Sequence, residues 1–185
     1  MAESTPTPTT TPTSTHWQRT TQGGVQLLIR AACPEDESVL EDLFRNVSPE
    51  DLRFRFLSAV AHVSPEQIRR MTHVDHQSAE SWIALLSDGE TPVASALLAR
   101  DPSGSRAEVA ISVRSDHRQR GIGWEMLAFV AEQAEARGIE VIESVESRDN
   151  RAALQVERDM NFTFQDLPGD PTLVLVSKRL SSARN

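Results

Sequence analysis

Arg118-Gln119-Arg120-Gly121-Ile122-Gly123 is the stretch on which the reading of this chain turns. Before it, Ala107, Val109, Ile111 and Val113 alternate with Glu108, Ala110 and Ser112, as the two faces of a strand do. After it, Met126, Leu127, Val130 and Ala134 recur at helical spacing up to Arg137-Gly138, a helix stop. The six residues therefore join a strand to a helix. The first amides of a helix have no partner within it and lie at the positive end of its dipole, so they favour an anion. Glycine at 121 and 123 lets backbone approach a ligand closely, and Arg114, Arg118 and Arg120 surround the loop with positive charge. A pyrophosphate is the natural occupant. Glycine spacing alone favours a tight basic turn; the Arg-x-x-Gly-x-Gly pattern, its strand–loop–helix setting and the meander before it together decide for the anion. A dinucleotide loop is rejected, because it needs a third glycine where Met126 stands and should follow the first strand of a βαβ unit.

Working outward, Val141–Val145 reads as a strand, parallel to Glu108–Val113 through a right-handed crossover. Asn150 caps a helix running from Arg151 to about Met160, and Phe162–Phe164 and Leu173–Val176 close the sheet as a last pair. Upstream, Trp82–Leu86, Val93–Ala99 and Glu108–Val113 form a meander turned at Asp88-Gly89 and Asp101-Pro102-Ser103-Gly104. Val25, Leu27 and Ile29 mark a first strand. Helix starts follow at Pro34, Ser48-Pro49 and Ser64-Pro65-Glu66-Gln67, the last a capping box. Leu52, Phe56 and Leu57 are the expected apolar stripe of the second helix. The fold class is α/β, of the α+β mixed-sheet kind. Residues 1–22, rich in Thr, Pro and Ser, cannot offset their chain entropy by burial and are read as disordered. A single domain spans 23–180, and 181–185 fray.

Composition removes several function classes. The chain has 185 residues, a formal charge of −8 and one cysteine, Cys33. An intramolecular disulfide and a multi-cysteine zinc site are excluded, and a reducing cytoplasm is the expected location. A pI near 5.1 argues against nucleic acid and suits a cationic partner such as an amine. No apolar run reaches the ~20 residues that span a bilayer. His73 and His76 lack a third ligand at suitable spacing, so no metal is expected.

Arg118–Gly123 resembles the acyl-CoA signature of the GNAT superfamily of N-acetyltransferases, whose loop amides hold the CoA pyrophosphate. The resemblance extends from about Gln26 to Lys178. Asn150-Arg151-Ala152-Ala153 followed by Asn161-Phe162 is similar to the family's Asn-x-x-Ala and Gly-Phe, with Asn161 replacing the glycine. Ser48 to Arg70 is similar to the bacterial protein-lysine acetyltransferase branch, the Pat type. The resemblance implies a GNAT fold: a mostly antiparallel sheet of six to seven strands flanked by helices, with one splayed parallel pair. Acetyl-CoA would be the co-substrate. Arg118, Gln119, Arg120, Gly121, Ile122 and Gly123 would hold its pyrophosphate, with Trp124 beside it. Ile111, Ser112 and Val113 would pair with pantetheine through their backbone. Asn150 would stand near the reaction centre, a role compatible with capping.

Acetyl transfer needs a neutral amine, and a lysine of reference pKa about 10.4 must lose its proton first. Glu108, beside the small residues Ala110 and Ser112, is the candidate base, and the Pat-type branch implies an acid on this strand. A solvated Glu108 paired with Arg106 is the competing reading. Many GNAT enzymes protonate the CoA thiolate with a tyrosine on the helix after the Asn. The matching position here is Glu157 and the chain has no tyrosine, so protonation is left to water. The expected function is acetyl transfer to a protein lysine by a monomer or homodimer. A small-molecule amine acceptor and a non-catalytic acyl-CoA sensor are the alternatives.

Overall fold

The computed structural model describes residues 16–58 and 62–181. Eight strands form one sheet in the order β1-β2-β3-β4-β5-β6-β8-β7. They are β1 (His16–Thr20), β2 (Gln26–Ala31), β3 (Ala79–Leu86), β4 (Pro92–Arg100), β5 (Arg106–Val113), β6 (Val141–Ser147), β7 (Thr163–Asp166) and β8 (Leu173–Arg179). Between them lie α1 (Glu37–Arg45), α2 (Pro49–Phe56), α3 (Pro65–Thr72), α4 (Ile122–Ala136) and α5 (Arg151–Asp159). All neighbours are antiparallel except β5 and β6, joined by the α4 crossover.

Both faces of the sheet are covered, so β3 is a continuous apolar run rather than an alternating one. Trp82 and Ala84 turn to one core with Met126, Phe129 and Val130 of α4. Ile83 and Leu85 turn to the other, with Leu40, Leu43 and Phe44 of α1 and Ile68 and Met71 of α3. The helix ends follow their signals. Ser64 Oγ accepts from the Gln67 amide at 3.2 Å and Gln67 Oε1 accepts from the Ser64 amide at 2.9 Å, a closed capping box. At the end of α4 the Gly138 amide donates to Glu135 and the Ile139 amide to Ala134, with Gly138 at φ +75°. Asn161 closes α5 in the same left-handed region, φ +61°, as expected of an Asn in a glycine's place.

Three expectations need correction. Residues 16–22 are ordered: β1 pairs with β2 along its whole length, Trp17 packs edge-on against Phe129 with ring centroids 5.2 Å apart, and Arg19 pairs with Glu132. The strand draws its burial from α4, far along the chain, which a local composition window cannot register. The sheet thus has eight strands rather than six to seven; the remaining tail, 1–15, and the end, 182–185, lie outside the described residues. In α2 the buried residues are Leu52 and Phe54, while Leu57 is 43% exposed at φ +47° and ends the helix.

Candidate active site

β5 and β6 pair only at Arg106↔Val141, Ala107↔Ile142 and Glu108↔Glu143. Beyond that rung β5 stays on β4, out to Val113↔Ala94, while β6 stays on β8, out to Ser147↔Leu173. The sheet therefore splits into two halves, and between them opens a cavity of about 720 Å³. β5 lines it from Glu108 to Val113, β6 from Glu143 to Glu146, α4 through its first turn, α5 through Val156 and Glu157, and α2 through Phe54 and Arg55. This volume is that of a small-molecule site.

One end of the cavity is the expected anion loop. The first intrahelical bond of α4 runs from the Glu125 amide to the Gly121 carbonyl, so the amides of residues 121 to 124 are free of helical partners. Gly121 is the N-cap and no side chain caps the helix. Its φ of +78° suits glycine, and a Cβ there would lie 3.3 Å from Cβ of Thr21. Gln119, Gly121, Ile122, Gly123 and Trp124 all line the cavity. Arg118 lines it too, but is held by Asp51 of α2. Arg120 is exposed and does not face the cavity, and Arg114 turns to Asp42 and Asp116. The collar of three arginines read from sequence thus reduces to one arginine and a helix N-terminus. Sequence reading missed the support beneath the loop: a Cβ on Gly23 would lie 3.1 Å from the Arg120 carbonyl oxygen, so the turn between β1 and β2 is in contact with it.

Carboxylates gather at the other end. Glu108 is exposed at the mouth of the split, opposite Glu143, and Arg106 pairs with Glu143 rather than with Glu108. Ser112 is 5% exposed and its Oγ has no hydrogen-bond partner among the described residues. Asn150 caps α5, accepting from the Ala153 amide at 3.4 Å, and its Nδ2 donates to Glu146 Oε2 at 2.9 Å. Asn150 thus caps α5 and also lines the cavity. Burial pushes the Glu146 carboxyl up, against Asn150, Ser144 and Arg55, which pull it down. Burial likewise lowers Arg55, while Glu108 and Glu146 oppose the shift. Glu157 is buried at the cavity wall, and burial, aided by the charge of Glu146, pushes it up to about 8. Glu146 and Ser144 were not singled out from sequence, since they meet Arg55 only through the fold; the Arg53-Phe54-Arg55 stretch reads from sequence as an acceptor-side surface or a solvated helix face, and Arg55 lines the cavity. Glu157 carried a local signal: a carboxylate in line with Ala153 and Met160 on the inner face of α5.

The residues set aside in the sequence reading lie elsewhere. Cys33 sits at a short 3₁₀ turn beside Asp36, and burial together with that carboxylate pushes its thiol up to about 11. His73 lies 3.7 Å from Glu37 and His76 lies 2.9 Å from Glu80.

Comparison with known proteins supplies the rest. Residues 45–162 match the acetyltransferase (GNAT) family. An acetyltransferase of Pseudomonas aeruginosa is 26% identical over 162 residues, covering 86% of this chain and 87% of its own length. The GNAT domain of S. lividans PAT shares the fold with a TM-score of 0.82 at 22% identity, over 89% of this chain and 97% of that one. A ribosomal L7/L12 alpha-N-protein acetyltransferase, solved in complex with coenzyme A, gives 0.68 at 18% identity, over 83% and 94%.

Proposed function

The chain belongs to the acetyltransferase (GNAT) family, and from that premise we propose that it moves the acetyl group of acetyl-CoA directly onto the side-chain amine of a protein lysine. Acetyl-CoA-dependent N-acetylation goes with the family; the acceptor and the residue roles are our reading. The observation that carries it is the end of parallel pairing at Glu108↔Glu143, which opens a cleft with a helix N-terminus at one end and carboxylates at the other.

The polarity of that cleft matches the two substrates. The free amides of residues 121 to 124, with Arg118, would hold the pyrophosphate. The β5 backbone at Ile111, Ser112 and Val113 has no strand on its β6 side and would pair with pantetheine. A backbone N–H of the same edge would polarise the thioester carbonyl. The ammonium of a lysine is drawn toward Glu108, Glu143 and Glu146. Glu108, at the mouth, would take the proton, directly or through one water, and the neutral amine would attack. The single cysteine keeps a reducing cytoplasm as the proposed location.

The test is incubation of the full chain with acetyl-CoA and lysine-containing proteins, reading free CoA thiol and locating acetyl groups by mass spectrometry. Acetylation at lysine Nζ is the expected result. Thiol release with small amines only would make the acceptor a metabolite-sized amine. Tight acetyl-CoA binding with no turnover on any amine would make the chain a sensor and end the proposal.

A further inference from the structure

When a thioester is aminolysed, the departing sulfur takes the electron pair of the C–S bond and needs a proton. The cavity holds one carboxyl group suited to supply it that the reading above leaves idle. Glu157 is 5% exposed yet lines the cavity. Its Oε1 accepts from Ser144 Oγ at 3.0 Å, and its Oε2 is buried with no hydrogen-bond partner among the described residues. An ionised carboxylate there would be a buried charge with half its acceptors empty and no cation in contact, a costly state. A neutral acid with its hydroxyl on Oε2 fits the same surroundings, at the wall of the cavity.

The charged neighbours agree. Glu146 on β6 adds like charge. Arg158, next on α5, lies over the Phe164 ring at 5.1 Å, away from the cavity. Arg55 of α2 is felt by Glu108 and Glu146. The residues that α4 contributes to the wall, Ile122, Gly123, Trp124 and Leu127, carry no charge. No tyrosine occurs in the chain, so no phenol can do this work.

Building on the acyl-transfer reading, we propose that Glu157 is a catalytic acid: with Ser144 holding Oε1, its neutral carboxyl gives the Oε2 proton to the sulfur of departing coenzyme A. The amine nitrogen forms its bond to the acetyl carbon, the C–S pair goes to sulfur, and sulfur takes the proton from Glu157 to leave as the thiol. The proton that Glu108 takes from the ammonium passes to solvent before attack; the second proton, lost by the nitrogen as the amide forms, goes to Glu108 in turn, and solvent then resets both carboxyls. An acid pushed up to about 8 keeps its proton at neutral pH and lies in the range where a general acid can pass it to a thiolate.

Glu157→Gln keeps the volume and the acceptor for Ser144 but has no proton to give. With the full chain, acetyl-CoA and an acceptor that the wild type acetylates, kcat should fall about 100-fold or more, with KM for acetyl-CoA within about twofold. Wild-type kcat should decline above about pH 8, as the acid ionises, and the variant should lack that decline. Infrared spectra of the free protein at pH 7 should show a protonated-carboxyl band that Glu157→Gln removes. Unchanged kcat in the variant, a retained alkaline decline, or no band lost would each overturn the proposal while leaving the transferase reading standing. A wild type that binds acetyl-CoA and releases no thiol with any amine would overturn both.

Discussion

Glu108 and Glu157 are the same residue type in opposite settings, one exposed at the mouth of the split and one buried in its wall. A base must be ionised and an acid protonated at one pH, and exposure and burial separate them in that direction. Glu108→Gln should lower kcat at neutral pH by about 100-fold or more and leave acetyl-CoA affinity, read by calorimetry, unchanged; full activity would remove Glu108 as base. Glu157 also has a consequence for stability. Its folded pKa, about 8, exceeds the unfolded value, so the folded chain keeps a proton that the unfolded chain releases. Its contribution is complete below the unfolded pKa, about 4.3, and is lost as pH rises to about 8. In that window the wild type should lose on the order of 1 kcal/mol per pH unit that Glu157→Gln does not lose. The melting temperature of the variant, relative to wild type, should therefore climb between pH 5 and 8.5; a constant difference would show that Glu157 is ionised throughout. These two residues also mark how far the site was legible. Glu108 and Asn150 declare themselves locally, one on a strand between small residues and one as a helix cap. Spacing alone puts Glu157 on the inner face of α5, but that Glu146 charges it and that Arg55 reaches into the cleft depend on α2, β6 and α5 meeting, and no window of sequence contains all three.

At the scale of elements, the turn between β1 and β2 acts as a buttress for the start of α4. Thr21 is buried, its Oγ1 accepts from the Val25 amide at 3.1 Å, and its Cβ bounds the space at Gly121. Gly23→Val would drive a branched side chain toward the Arg120 carbonyl, where even a Cβ comes within 3.1 Å. Overpacking of this kind costs about 1–3 kcal/mol. Because the loop would move, KM for acetyl-CoA should rise about tenfold while kcat stays within about twofold; a normal KM with lowered kcat would argue that the loop does not hold the cofactor. α2 bears on the same loop through Asp51, which pairs with Arg118 and takes a hydrogen bond from Ser48 Oγ at 2.6 Å. Asp51→Asn keeps the cap geometry and frees Arg118, so acetyl-CoA should bind more tightly by isothermal calorimetry; weaker binding would show that Arg118 does not meet the phosphates. Element order was readable because helix ends carry their own signals, as at the starts by Gly121 and Ser64 and the stop at Arg137-Gly138. β1 was not, because the Thr-rich run passes into it without a breaker and its partner residues, Phe129 and Glu132, lie more than a hundred positions away.

At the scale of the whole molecule, the proposed reaction asks a body of charge −8 to admit one anionic and one cationic substrate. Coenzyme A carries phosphates, and the local attraction for it, the α4 amides and one arginine shared with Asp51, works against the long-range field. For the proposed lysine acceptor the long-range field is favourable, and in the cleft Glu108, Glu143 and Glu146 continue it while Arg55 opposes it. Salt separates these effects, because the Debye length falls from about 30 Å at 0.01 M to about 10 Å at 0.1 M. A chain of this length has a radius of gyration of about 16 Å, between those limits, so the change removes most of the long-range field and spares contacts inside the cleft. Between those two salt concentrations KM for a lysine acceptor should rise, KM for acetyl-CoA should hold or fall, and kcat should change little. Initial rates in sodium chloride, with each substrate varied in turn, read all three. If both KM values rose together, the cofactor would be held mainly by exposed positive charge, and the short-range role given to the α4 amides would have to be abandoned.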